Sequence, residues 1–267
     1  VVHAEDPLLL QMARLIWEKS FEFHGKLRPA EAEAQAVRAM AYLARYLGFR
    51  LHLTHLSSAK GLEAALEAKL RAGATIDTAI HYLVLSEKLA RRLKGLAKVN
   101  PPLRSHRDAV TLRRAVAAGL LDAIVTDHAP HRLEEKLSGE YSTVPAGFPG
   151  LELCLPLLVT MVLRGVLPLE ALSLYACRPA DILGVPKGRL EVGMDADIVF
   201  LNVKEKWRIR GSELRSKAKY TPFEGFEVSG KVQKVFIRGV PAYDTGELLV
   251  DRGFGRRYGR GGGWGGE

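Results

Sequence analysis

Leu121-Asp122-Ala123-Ile124-Val125-Thr126-Asp127-His128-Ala129-Pro130-His131 is the stretch on which the reading of this chain turns. Its first six residues make a strand-like apolar run, and the run ends in a carboxylate with two imidazoles close behind it. A carboxylate at the end of an apolar strand is poorly hydrated, so it needs a cation or hydrogen-bond donors. The neighbouring imidazoles favour a metal-binding or catalytic role for Asp127 over that of a simple loop cap.

The same alternation extends outward from Pro7 to Gly184. Pro7 to Phe21 and Pro29 to Leu47 carry apolar residues at helical spacing, with Pro29 suited to a first helical turn and Gly48 to a helix end. A strand-like run from Phe49 to Leu56 precedes a helix from Gly61 to Ala72, and a second run spans Thr75 to Leu85. The loop Asn100-Pro101-Pro102-Leu103-Arg104 leads into a helix from Arg107 to Ala118. Short strands separated by longer helices predict parallel βα units, hence a doubly wound sheet or a (β/α)8 barrel. His3, His55 and Asp127-His128 all fall at or just after the C-terminal ends of strand-like runs, the face on which barrels build active sites.

Two imidazoles and a carboxylate suit zinc or a similar borderline metal. They are an incomplete set, because a hydrolase with two ions needs roughly three protein ligands per ion. Among the other histidines, His24 and His106 have polar surroundings that predict surface positions. Strand alternation turns His52 away from His55, and His81 lies within a strand-like run where it can line a pocket.

Beyond Gly184 the pattern becomes β-rich, through Gly188 to Leu201, Lys231 to Gly239 and Leu248 to Asp251. This predicts a first unit over residues 1–184, a second over 185–257, and a disordered Gly-rich tail over 258–267. The net charge of +9 and the Arg-Gly-Gly tail are weak signals for nucleic acid, because Lys and Arg alternate with Glu along helices. Two isolated cysteines, Cys154 and Cys177, give no disulfide framework and point to the cytoplasm. No apolar run is long enough to span a membrane. The chain opens on Val1 with neither Met nor a signal-peptide pattern, which predicts processing or a start inside a longer gene.

His3-Ala4-Glu5-Asp6, Leu53-Thr54-His55-Leu56-Ser57-Ser58, Asn100-Pro101-Pro102-Leu103-Arg104 and Thr126-Asp127-His128-Ala129-Pro130-His131 resemble, in order and spacing, motifs of dihydroorotases in the amidohydrolase superfamily. Pro145-Ala146-Gly147-Phe148-Pro149-Gly150, Gly193-Met194-Asp195-Ala196-Asp197 and Tyr220-Thr221-Pro222-Phe223-Glu224-Gly225 extend the resemblance over nearly the whole chain. It implies an α/β fold, the latter half of a (β/α)8 TIM-type barrel (strands five to eight) followed by part of a small C-terminal β-sandwich. It also implies His3, His55 and Asp127 as ligands in a site for two zinc ions, with Asp127 as the catalytic acid/base. Asn100, His131, Ala146 and Gly147 match substrate-binding positions. The family's first-strand His-x-His pair, the Arg after it and the bridging Asp or carboxylated Lys have no counterpart here.

The implied reaction interconverts carbamoyl aspartate and dihydroorotate in pyrimidine biosynthesis. The implied partners are that small-molecule substrate, the missing N-terminal half, and a homo-oligomer or a transcarbamoylase. Rival readings are an allantoinase- or hydantoinase-type enzyme, or a non-catalytic dihydroorotase-like partner of a transcarbamoylase. Half a barrel on its own exposes sheet edges and an uncovered apolar face.

Overall fold

Local signals place most helices of the computed structural model, which describes residues 1–257. Helix α1 (Pro7–Ile16) starts where the Asp6 carboxylate accepts from the Leu9 amide at 2.9 Å. After the single turn α2 (His24–Leu27), α3 (Ala30–Leu47) begins behind Pro29 and stops at Gly48, whose φ of 73° suits glycine. Strand β1 (His52–Leu53) leads to α4 (Ala59–Ala72), which is capped by the Ser58 hydroxyl, and then to β2 (Thr75–Ala79). Helices α5 (Ile80–Val84), α6 (Glu87–Leu93) and α7 (His106–Ala117) precede β3 (Ala123–Val125). Next come α8 (Leu133–Lys136), α9 (Cys154–Leu163) and α10 (Cys177–Leu183). The remaining strands are β4 (Ile198–Arg208), β5 (Glu227–Ile237), β6 (Val240–Asp244) and β7 (Glu247–Leu248).

Strands β1, β2 and β3 form a parallel sheet in that order, and Val2 extends it by a parallel bridge to Leu53. Ile76, Asp77, Thr78 and Ala79 of β2 are all buried, as expected of a parallel strand covered on both faces. The last four strands make an antiparallel sheet ordered β4-β5-β6-β7. That sheet packs on α9, where the Ser229 amide donates to the Thr160 hydroxyl at 2.8 Å. No helix among the described residues is long and apolar enough to cross a membrane.

Several strand-like runs are shorter than their sequence suggests. Pairing sets their length. From Phe49 to Leu56 only His52 and Leu53 are strand, and the Thr75–Leu85 run turns helical at Ile80 after Ala79 reaches its last partner, Val125. His81 therefore lies in a helical turn rather than in a strand. From Gly188 to Asp197 the chain forms turns, with Lys187 drawn to Asp195 and Asp197, and strand begins at Ile198. In the Leu248–Asp251 run only Leu248 is strand, as the end of β7. His24 is also corrected: it is buried, with Nε2 at 2.9 Å from the Val99 carbonyl and Nδ1 at 2.8 Å from the Tyr141 hydroxyl. The expected tail over 258–267 lies outside the described residues.

Helices α3 and α4 pack against each other, and both bury small residues, Ala32, Ala34 and Val37 on α3 and Ala64, Ala65 and Ala68 on α4. Small side chains bring the backbones close, and Gly61 is the tightest point. A Cβ there would fall 2.0 Å from Glu33 Oε2. Glu33 is fully buried and accepts from the amides of Ser57 and Ser58, at 2.8 and 3.1 Å, and from both hydroxyls. Burial nevertheless pushes its carboxyl above the ordinary value, against the opposing pull of Arg104 and these donors. The cluster fixes the segment just after His55. Gly61→Ala is expected to cost about 1–3 kcal/mol by overpacking, read as a lower urea midpoint. An unchanged midpoint would show that Glu33 can move aside.

Candidate active site at the strand ends

His3 follows the bridge residue Val2, and His55 follows β1 by two residues, so the parallel register carries both imidazoles to one end of the sheet. Their facing nitrogens, His3 Nδ1 and His55 Nε2, are 3.1 Å apart. The other nitrogen of His3 faces the Glu5 carboxylate at 2.8 Å, which assigns a proton to Nε2 and leaves Nδ1 as a bare lone pair. Glu5 is held in turn by Arg28, whose Nε donates at 3.1 Å to each carboxylate oxygen and whose Nη2 also donates to Oε2. Burial raises the Glu5 pKa, but the hydrogen bonds from His3 and Arg28 outweigh it and hold the group below its ordinary value.

His55 is fixed through its backbone. Asp77 of β2 accepts from the His55 amide at 2.5 Å, from the Thr54 hydroxyl at 3.0 Å and from His52 Nε2 at 2.7 Å. His52 thus serves as a structural donor. Both His55 and Asp127 have left-handed backbones, with φ of 49° and 44°, a conformation that non-glycine residues adopt only when their surroundings impose it. Burial, helped by the positive charge available on His3, lowers the His55 pKa to about 4.

Burial raises the Asp127 pKa to about 6, with His3 opposing and the Asp77 charge adding to the rise. Its nearest imidazole contact is His81 Nε2, 4.0 Å from Oδ2. Burial holds His81 at about 3, so this contact joins a neutral ring to the carboxyl and is no ion pair at neutral pH. Among the described residues neither nitrogen of His81 has a hydrogen-bond partner, nor does Nδ1 of His55. Two imidazole nitrogens aimed at each other can share at most one proton, and a divalent cation is the partner that satisfies both lone pairs. The pair therefore fits a metal. Among the described residues, however, no three His, Cys, Asp or Glu side chains are grouped to hold one, so Asp127 does not close a shell with the two imidazoles.

The remaining sequence candidates gather at a neighbouring rim. His131 Nε2 lies 3.0 Å from the Ala146 carbonyl, and the Gly147 amide donates to the Lys98 carbonyl at 2.8 Å. Gly147 has a φ of 123°, and a Cβ there would fall 2.6 Å from the Ala129 carbonyl oxygen, so only glycine fits. Asn100 Oδ1 is buried without a partner among the described residues. Sequence reasoning missed Glu5, Arg28 and Asp77. The signals available were a carboxylate two residues beyond His3, and a single Asp in the middle of the Thr-Ile-Asp-Thr-Ala run.

The Amidohydrolase family matches residues 33–242, and the chain belongs to that family, with its TIM-barrel-like α/β fold. More particularly, it is similar to proteins named dihydroorotase. That of Geobacter sp. (strain M21) is 37% identical over 220 residues, covering 82% of this chain and 52% of the relative. That of Methanothermobacter thermautotrophicus is 36% identical over 256 residues, covering 94% and 58%. Among solved structures, an L-hydantoinase (dihydropyrimidinase) from Arthrobacter aurescens superposes with a TM-score of 0.90 at 31% identity, covering 96% of this chain and 59% of that one. The chain spans about half the length of the curated relatives it matches.

The buried imidazoles make stability depend on pH. His24, His55 and His81 have folded pKa values of about 4, 4 and 3, below the ordinary 6.5, so each supplies stability present above 6.5 that is lost as pH falls toward the folded value. Asp127, raised to about 6, works the opposite way between 3.8 and 6, and Glu33, also raised by burial, works in the same sense as Asp127. Three groups outweigh two. In chelator-treated protein the urea midpoint is expected to fall between pH 7 and pH 5, and a rise on acidification would contradict the burial of these rings.

Proposed function

We propose that this chain supplies the later half of the active site of a dihydroorotase, interconverting dihydroorotate and carbamoyl aspartate. The observation that carries the reading is the facing pair His3 and His55, each held by its own buried carboxylate. On this reading residues 1–184 are strands five to eight of a (β/α)8 barrel, and residues 185–257 are part of a β-sandwich. The rest of the fold, with the first-strand histidines and the bridging ligand, comes from protein outside these residues. Exposed apolar side chains support such a covering partner, notably Tyr42, Tyr46 and Leu47 on α3 and Val199, Phe200 and Val203 on β4. Cys154 and Cys177 are both free, in keeping with a cytoplasmic enzyme.

His3, His55 and Asp127 would hold zinc, as part of a site for two ions. When bound, the metal would lower the pKa of a coordinated water and polarise the ring amide carbonyl. Asp127 would take the proton from the attacking water and pass it to the leaving ring nitrogen. Glu5 keeps the His3 tautomer fixed while this occurs. Asn100 and His131 bind the substrate carboxylate, and the backbone at Ala146 and Gly147 meets the ring edge.

A hydantoinase-type activity is the second reading, favoured by the superposition on the L-hydantoinase structure. The complete gene product, loaded with zinc and assayed on dihydroorotate, hydantoin and allantoin, separates the two. Turnover of dihydroorotate is expected, with Asp127→Asn lowering kcat by about 10²–10⁴-fold. Preference for hydantoin would transfer the assignment to the second reading. Residues 1–267 alone are expected to be inactive, and zinc-dependent turnover by them would refute the division of the site.

A further inference from the structure

Lys136 ends the short helix α8, five residues after His131, and its side chain is among the most completely buried in the chain. Among the described residues no carboxylate pairs with it. Its Nζ donates instead to three backbone carbonyls, those of Lys98 at 3.1 Å, Pro145 at 2.9 Å and Gly147 at 2.7 Å. An ammonium has three protons, and here three oxygens receive them. The Lys98 carbonyl also accepts the Gly147 amide, so the two loops are tied twice at one point. One loop carries Asn100 two residues further on. The other carries Ala146, whose carbonyl meets His131.

Three carbonyl oxygens converging on one point repel each other unless a shared donor lies between them, and the Pro145 carbonyl, unlike those of Lys98 and Gly147, has no second donor among the described residues. A tethered ammonium supplies charge and donors together. Burial, followed by the positive charge of Lys98, brings the Lys136 pKa down to about 7, the cost of keeping an ammonium there. An apolar side chain would fill the same space without that cost, but it could not fix the carbonyls. The feature gained is position.

We propose that Lys136 is a positioning residue that locks the Asn100 loop to the Ala146–Gly147 loop and so sets the rim that recognises the cyclic substrate. The choice of ligand rests on the dihydroorotase reading; the loop lock does not. The test compares wild type, Lys136→Met and Lys136→Arg in the intact gene product, by hydrogen exchange and by titration with dihydroorotate and with zinc. In Lys136→Met, amides of residues 98–100 and 146–148 should exchange at least about tenfold faster while β2 keeps its protection. Dihydroorotate should bind about tenfold more weakly with zinc affinity unchanged, and Lys136→Arg should recover part of both losses. Unchanged exchange in either loop, or faster exchange throughout β2 as well, would overturn the assignment. If wild type binds zinc but no dihydroorotate, the functional reading fails, and the exchange data alone then decide the role of Lys136.

Discussion

A carboxylate without water must collect donors from whatever lies beside it, and Asp77 collects them from the neighbouring strand. Its partners are the His52 ring, the Thr54 hydroxyl and the His55 amide, all on the segment running out of β1. The pairing of Thr75 with His52 and Ile76 with Leu53 is thereby locked, since a slip of one residue would turn Asp77 away from every donor. It also bends the chain at His55 into its left-handed turn. The direction of the imidazole follows from a charge one strand away.

The same logic recurs around the strand ends. Glu33 gathers the two serines after His55, Glu5 bridges His3 and Arg28, and Lys136 gathers carbonyls from two loops. Buried charges of this kind add little net stability, because desolvation offsets their attraction. They do remove freedom from the groups they touch. Each stands one contact behind a candidate ligand or a substrate-facing loop, which is where a hydrolytic site needs rigidity.

What the sequence made legible follows from what is local. Helix α3 was readable because Pro29 and Gly48 bracket it, and His3, His55 and Asp127 stood out because each closes an apolar run. The strand lengths were not readable, since β2 ends where its three-residue partner β3 ends. His24 misled because its burial depends on Tyr141, more than a hundred positions away. Lys136 was hidden in the charged run Leu-Glu-Glu-Lys, where nothing local distinguishes a solvated lysine from a buried one. The shared end of His3 and His55 could be guessed, but the separation of Asp127 from them belongs to tertiary structure.

The left-handed backbones at His55 and Asp127 bear on any attempt to transplant this site. Grafting the side chains onto the strands of another barrel, with ordinary extended geometry at those positions, would aim the imidazole and the carboxylate at the barrel wall. A host scaffold would need to import the kinks as well, together with the neighbouring groups that sustain them. The portable unit here is a bend with a residue on it.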